Sequence, residues 1–190
     1  MATRSQIIEK AYKCIDEFYP DTPLSSDIEE FRVEDFVDDA IRFIGRVAPV
    51  RALGPGVSFV PEETKSNPVA LPPGFVRLVA FKMSDWALPV TDALYSDNPR
   101  YRQQADPILQ GTSHRPVVFI TDGDTNLEYY SSVGDVVKAQ AFVVSSTVDY
   151  PEQLGEAIAW KAAELVLSAM NDAQGVQFVQ NQIQQLLQAL

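Results

Sequence analysis

The sequence has almost nothing with which to cross-link itself. Among 190 residues Cys14 is the only cysteine and His114 the only histidine, which excludes an intrachain disulfide and a multi-cysteine metal site. No apolar run approaches the roughly 20 residues of a membrane helix, and no signal-peptide stretch follows Met1-Ala2-Thr3-Arg4-Ser5. These absences predict a chain made and kept in the cytosol of its cell. Basic side chains are scarce too: 15 Lys and Arg against 26 Asp and Glu leave a net charge of −11. A surface that grips nucleic-acid phosphates needs clustered Lys and Arg, so the balance argues against tight nucleic-acid binding.

What is present suffices for a packed core. Hydrophobic residues make up 46% of the chain, enough for a single domain spanning residues 1–190. The acid is unevenly placed: between Asp16 and Asp39 lie ten acidic residues and one basic residue, Arg32, a local −9. Such a run forms either a solvated face or a surface that repels DNA.

Three regions differ in pattern. In the first, Ile7, Ile8, Ala11, Tyr12, Cys14, Ile15 and Phe18 recur at helical spacing, with Thr3 and Gln6 set as a capping box and Pro20 beyond the end. Phe36, Val37, Ala40, Ile41 and Ile44 mark a second helix, and the two are expected to pair through these stripes. From Arg51 to Asp149, glycines and prolines such as Gly54-Pro55-Gly56, Pro72-Pro73-Gly74, Pro89, Pro99 and Pro116 break any helical pattern. This stretch, residues 51–149, predicts a strand- and loop-rich insertion. Phe75 to Met83 is apolar on both alternating sets, as in a strand covered on both faces. Val117 to Ile120 and Leu127 to Tyr130 flank Asp122-Gly123-Asp124 like the arms of a hairpin, and Val136 to Val144 offers a further strand of a small antiparallel sheet.

Helical spacing returns after Asp149. Pro151 and Glu152 open a segment with Leu154, Ile158, Ala162, Leu165 and Ala169 on one face. From Ala173 to Leu190 no side chain is charged and seven are glutamine, yet Val176, Val179, Ile183, Leu186 and Leu190 follow a 3-4-3-4 spacing. Two heptads are too few for a stable coiled coil. The tail, residues 171–190, is therefore expected either to order on a partner as an assembly segment or to pack as the last helix of its own bundle. The fold class expected from these patterns is α+β: a helical bundle built from both ends of the chain, with a strand-rich antiparallel insertion in the middle.

No residue pattern supports catalysis, a cofactor or a metal. His114 would need a serine positioned for it, but Ser113 is adjacent on the chain and points away in an extended segment, and no Gly-x-Ser-x-Gly pattern occurs. Cys14 lies on an apolar helical stripe and reads as a small core residue. Asp122-Gly123-Asp124-Thr125 opens like a calcium loop, but Val133 stands where the closing bidentate Glu belongs, so a hairpin turn is expected. Gly54-Pro55-Gly56 lacks the Lys-Ser/Thr of a phosphate loop and reads as a turn. Trp86 and Trp160 are expected to be core or interface anchors.

Several stretches taken together carry a resemblance: Arg46-Val47-Ala48-Pro49, Leu71-Pro72-Pro73-Gly74-Phe75-Val76-Arg77-Leu78, Trp86, Asn98-Pro99-Arg100-Tyr101-Arg102-Gln103-Gln104, Gly111-Thr112 and Arg115-Pro116-Val117. Over roughly Phe31 to Met170 the chain resembles the head-to-tail adaptor, or connector ring, proteins of short-tailed bacteriophages, particularly the crAss-like phages. One departure is Ala105-Asp106, where an Asn is expected soon after Gln103-Gln104; residues 1–30 lie outside the likeness. The resemblance implies a virion structural protein at the head-tail junction, present in the host cytoplasm during assembly. It implies a dodecameric ring beneath the portal protein, contacts with other connector or tail proteins, and a channel that passes genomic DNA without binding it tightly. It brings no catalytic residues.

In that setting Val176, Val179, Ile183, Leu186 and Leu190 are the expected interface, and Glu29, Glu30, Glu34, Asp35, Asp38 and Asp39 the expected channel- or solvent-facing acidic surface. A tail-completion or tail-capping protein is the alternative among structural roles. A small hydrolase using His114 and a cytosolic regulatory binding module are the alternatives from other classes.

Overall fold

The computed structural model describes residues 1–18, 32–60, 67–130 and 133–190. The chain forms two compact units, one from Met1–Gly54 with Val144–Leu190, the other from Pro55–Val143. The single domain expected from length alone is thus resolved into a helical unit made from both chain ends and a strand-rich unit inserted between them. The class is α+β, with helices towards both termini and strands in the middle.

The helical unit contains α1 (Arg4–Phe18), α2 (Val33–Val47), α4 (Glu152–Ala169) and α5 (Ala173–Ala189). The capping box forms as expected: the Thr3 amide donates to Gln6 Oε1 at 2.9 Å and the Gln6 amide donates to Thr3 Oγ1 at 3.2 Å. Ahead of it, Ala2 and Tyr150 exchange backbone hydrogen bonds, tying the start of the chain to the start of α4. The stripes of α1 (Ile7, Ala11, Cys14, Ile15) and α2 (Val33, Val37, Ala40, Ile41, Ile44) are buried. They do not chiefly pair with each other, as expected from sequence; each packs mainly on α4. The reason lies in the composition of α4, where Leu154, Ala157, Ile158, Ala159, Trp160, Ala162, Ala163, Val166 and Leu167 are all buried. A helix apolar around most of its circumference takes neighbours on several sides. Gly155 permits the approach of the amino terminus, since a Cβ there would lie 2.6 Å from the Ala2 Cβ. Leu165 and Ala169, expected on the buried face, are only half-buried.

The strand-rich unit holds two sheets. One has the order β1-β7-β3 (Val57–Ser58, Val136–Val143, Phe75–Met83), the other β2-β6-β5-β4 (Val69–Ala70, Asn126–Tyr130, Val117–Thr121, Leu94–Tyr95). Strand β3 is buried along nearly its whole length on both faces, and β5 and β6 form the expected hairpin. Its loop passes through Asp122, Gly123 and Asp124 in succession at φ 52°, 63° and 68°, a left-handed run that Asp and Gly tolerate best. The expected single antiparallel sheet is corrected in two respects: there are two sheets, and β4 joins β5 in parallel. The short helix α3 (Pro99–Gln103) follows β4, with Asn98 accepting from the Arg100 amide and Pro99 opening the first turn.

Candidate functional site

Of the acidic residues singled out from sequence, Glu34, Asp35, Asp38 and Asp39 lie on the first two turns of α2; Glu29 and Glu30 fall outside the described residues. The four form two neighbouring sectors. Glu34 and Asp38 are engaged by α1: Tyr12 donates its hydroxyl to Glu34 Oε2 at 3.1 Å, and Arg4 pairs with Asp38. Burial and then the Glu34 carboxylate beside it push the Tyr12 phenol above its ordinary pKa. Asp35 and Asp39 are exposed, and the same exposed flank continues into Phe43 and Val47, which are 44% and 49% exposed. One helix surface therefore presents carboxylates first and apolar side chains two turns later.

The expected carboxy-terminal seam becomes α5, and it is not wholly free. Val179 and Ile183 are 0% and 5% exposed, closed against the chain's own bundle chiefly through α4, whereas Val176, Leu186 and Leu190 remain half-buried. Val179 and Ile183, expected at an intermolecular interface, are thus covered by the chain's own helices. Phe178 ties the layers together, its ring lying 5.7 Å from Phe18 and 6.2 Å from Trp160. A buried polar clasp reinforces the contact. Lys161 Nζ donates to Glu164 Oε2 at 2.6 Å, and Gln180 Nε2 donates to Glu164 Oε1 at 2.9 Å. The Lys161 ammonium also lies 4.1 Å from the centre of the Phe43 ring. Asp172 caps α5 by accepting from the Gln174 and Gly175 amides, both at 3.1 Å. Lys161 and Glu164 are a local i,i+3 pair, but Gln180 and Phe178 meet partners at least 16 residues away on other helices, which leaves no local pattern in the sequence.

In the strand-rich unit a second polar arrangement fixes the loop after α3. Gln104, 7% exposed, donates to the Arg100 carbonyl and accepts from the Gly111 amide, both at 2.8 Å. A Cβ at Gly111 would meet the Tyr130 carbonyl oxygen at 2.7 Å, so the loop base lies directly on β6. At the tip, Asp106 Oδ1 accepts from the Ile108 amide, and its carbonyl accepts from the Leu109 and Gln110 amides. The result is a braced loop displaying Ile108 and Leu109, 90% and 56% exposed. Behind it, the hydroxyls of Tyr101 and Tyr130 both donate to Glu128, at 3.1 and 2.9 Å from Oε2. Burial first, then the Glu128 carboxylate, raises both phenols, Tyr130 to about 12.

His114 stands exposed in the turn closed by the backbone pair Thr112 and Arg115, with Ser113 half-buried beside it. Cys14 is 2% exposed, and burial, followed by Glu17, pushes its thiol up to about 12, where little thiolate exists at neutral pH. Trp86 and Trp160 are buried, Trp86 edge-on to Phe81 at 5.8 Å. Among the described residues no group of three or more His, Cys, Asp or Glu is arranged to hold a metal ion, and no helix is long and apolar enough to cross a membrane. No family model, curated protein or solved structure matches this chain.

Proposed function

We propose that the chain is a structural subunit of a phage head-to-tail junction, assembling as a connector ring that joins the portal to the tail and continues the DNA channel. The observation that carries this reading is the architecture: a helical unit made from both chain ends with a strand-rich unit inserted between them, which is the arrangement implied by the connector resemblance over Phe31 to Met170. The charge supports it. A protein carrying −11 repels passing phosphates over roughly a Debye length, about 8 Å at physiological salt, so DNA slides by without being held. Virion partners in this reading are the portal protein and neighbouring connector or tail proteins.

The test is electron microscopy of the purified full chain, alone and mixed with the portal protein. A closed ring with a central opening in either setting supports the proposal. Only monomers or dimers in both settings overturn it and favour a regulatory binding module. Micromolar or tighter binding of duplex DNA at low salt would overturn the channel role.

A further inference from the structure

The surface of the chain carries two features of opposite charge, each combined with exposed apolar side chains. Residues 99–115 hold Arg100, Arg102 and Arg115 against one acid, Asp106, a net +2 in a protein whose total is −11. All three arginines are exposed, and the braced loop between them displays Ile108 and Leu109. On α2, Asp35 and Asp39 are exposed, with Phe43 and Val47 further along the same flank. Over the whole helix, residues 33–47, the four acids of the first two turns stand against Arg42 and Arg46 further along, a net −2. Both apolar pairs remain largely exposed, and solvent-exposed apolar side chains near an excess of charge mark interaction surfaces.

We infer that these two surfaces are the two halves of one contact between copies of this chain: the Arg100, Arg102 and Ile108 surface of one subunit docks on the Asp35, Asp39 and Phe43 surface of the next. The inference rests on the ring reading above and names its subunit contact. Charge complementarity selects a second copy as the occupant, because the chain itself supplies both signs and both apolar pairs on different patches. A contact between two different patches is heterologous, and it generates a closed ring when the rotation between subunits closes. The loop is suited to this task because Gln104 and Asp106 already fix it, so little conformational freedom is lost on docking. Asp35 and Asp39 are thereby assigned to the subunit contact and not to the channel wall.

The test uses two charge-reversed full chains, D35K/D39K and R100E/R102E, whose changed side chains are exposed. Assembly is measured by sedimentation velocity at low salt, alone and with the portal protein, with circular dichroism confirming that each variant is folded. The native chain should assemble and each variant alone should assemble at least about tenfold more weakly, since like charges then face each other. Mixing the two variants in equal amounts should restore assembly, because the native loop of one meets the native helix of the other and both reversed surfaces also match. I108S should weaken assembly without changing its salt dependence. If the native chain forms rings and both charge-reversed variants do so equally well, or if the mixture fails to recover, the assigned surfaces are wrong while the ring reading stands. If the native chain assembles in neither setting, both fall.

Discussion

Replacing Val179 by Asp tests whether α5 belongs to the core of the isolated chain. Val179 is fully buried on the face of α5 that meets the bundle. Removing its side chain from the core forfeits about 1.5 to 3 kcal/mol of burial, and an unpaired carboxylate in the same dry site adds a cost of a few kcal/mol or forces the helix away. A loss of about 4 kcal/mol is a large share of the roughly 5 to 15 kcal/mol that holds a domain folded. With a urea dependence near 2 kcal/mol per molar, the unfolding midpoint should fall by about 2 M. Trp160 reports on this unit directly, because its ring faces Phe178 of α5; a Trp86→Phe background leaves it as the sole tryptophan. Leu186→Asp is the control, since Leu186 is half-buried and should lose much less. An unchanged midpoint for Val179→Asp would refute the packing of α5 and return the whole helix to the role of a segment that orders only on a partner.

Two other outcomes follow from the strand-rich unit. Gly111→Ala should destabilise that unit by about 1 to 3 kcal/mol in a denaturant titration, because its Cβ would press on the Tyr130 carbonyl and threaten the buried Gln104 bond; native stability would show that the loop base stands off β6. Tyr130, raised to about 12, should ionise late in an alkaline absorbance titration, and Tyr130→Phe should remove that late component. Because the folded value lies above the unfolded one near 10, the stability linked to this phenol is fully present below about pH 10 and is lost as pH rises through about 12.

Much of this architecture was legible where local chemistry dictates local structure. The Thr3 and Gln6 pair marked the start of α1, the doubly apolar run of β3 marked a strand covered on both faces, and Asp122-Gly123-Asp124 marked a hairpin loop. The central position of α4 was less clear, because alanines at Ala157, Ala159, Ala162 and Ala163 blur the distinction between a buried and a lined face. Two-residue strands such as β1, β2 and β4 are too short to carry a period, so the division into two sheets could not be read. Asp35 and Asp39 stood out in the sequence as acidic surface, but the apolar side chains of the proposed contact did not, for a related reason. Exposure of Phe43, Ile108 and Leu109 is a property of what fails to cover them, and only the folded chain shows it. The glutamine-rich tail carries a seam spacing, and burial of Val179 and Ile183 shows that two of its five positions serve the chain's own bundle.

On the connector reading a phage encodes this chain, and the most direct test is electron cryo-microscopy of that phage's intact particles, with the helical and strand-rich units fitted separately into the density. A ring of copies of this chain between portal and tail, enclosing the DNA channel, is the predicted result. Complete tailed particles in which that position is filled by other proteins, and from which this chain is missing, would contradict it.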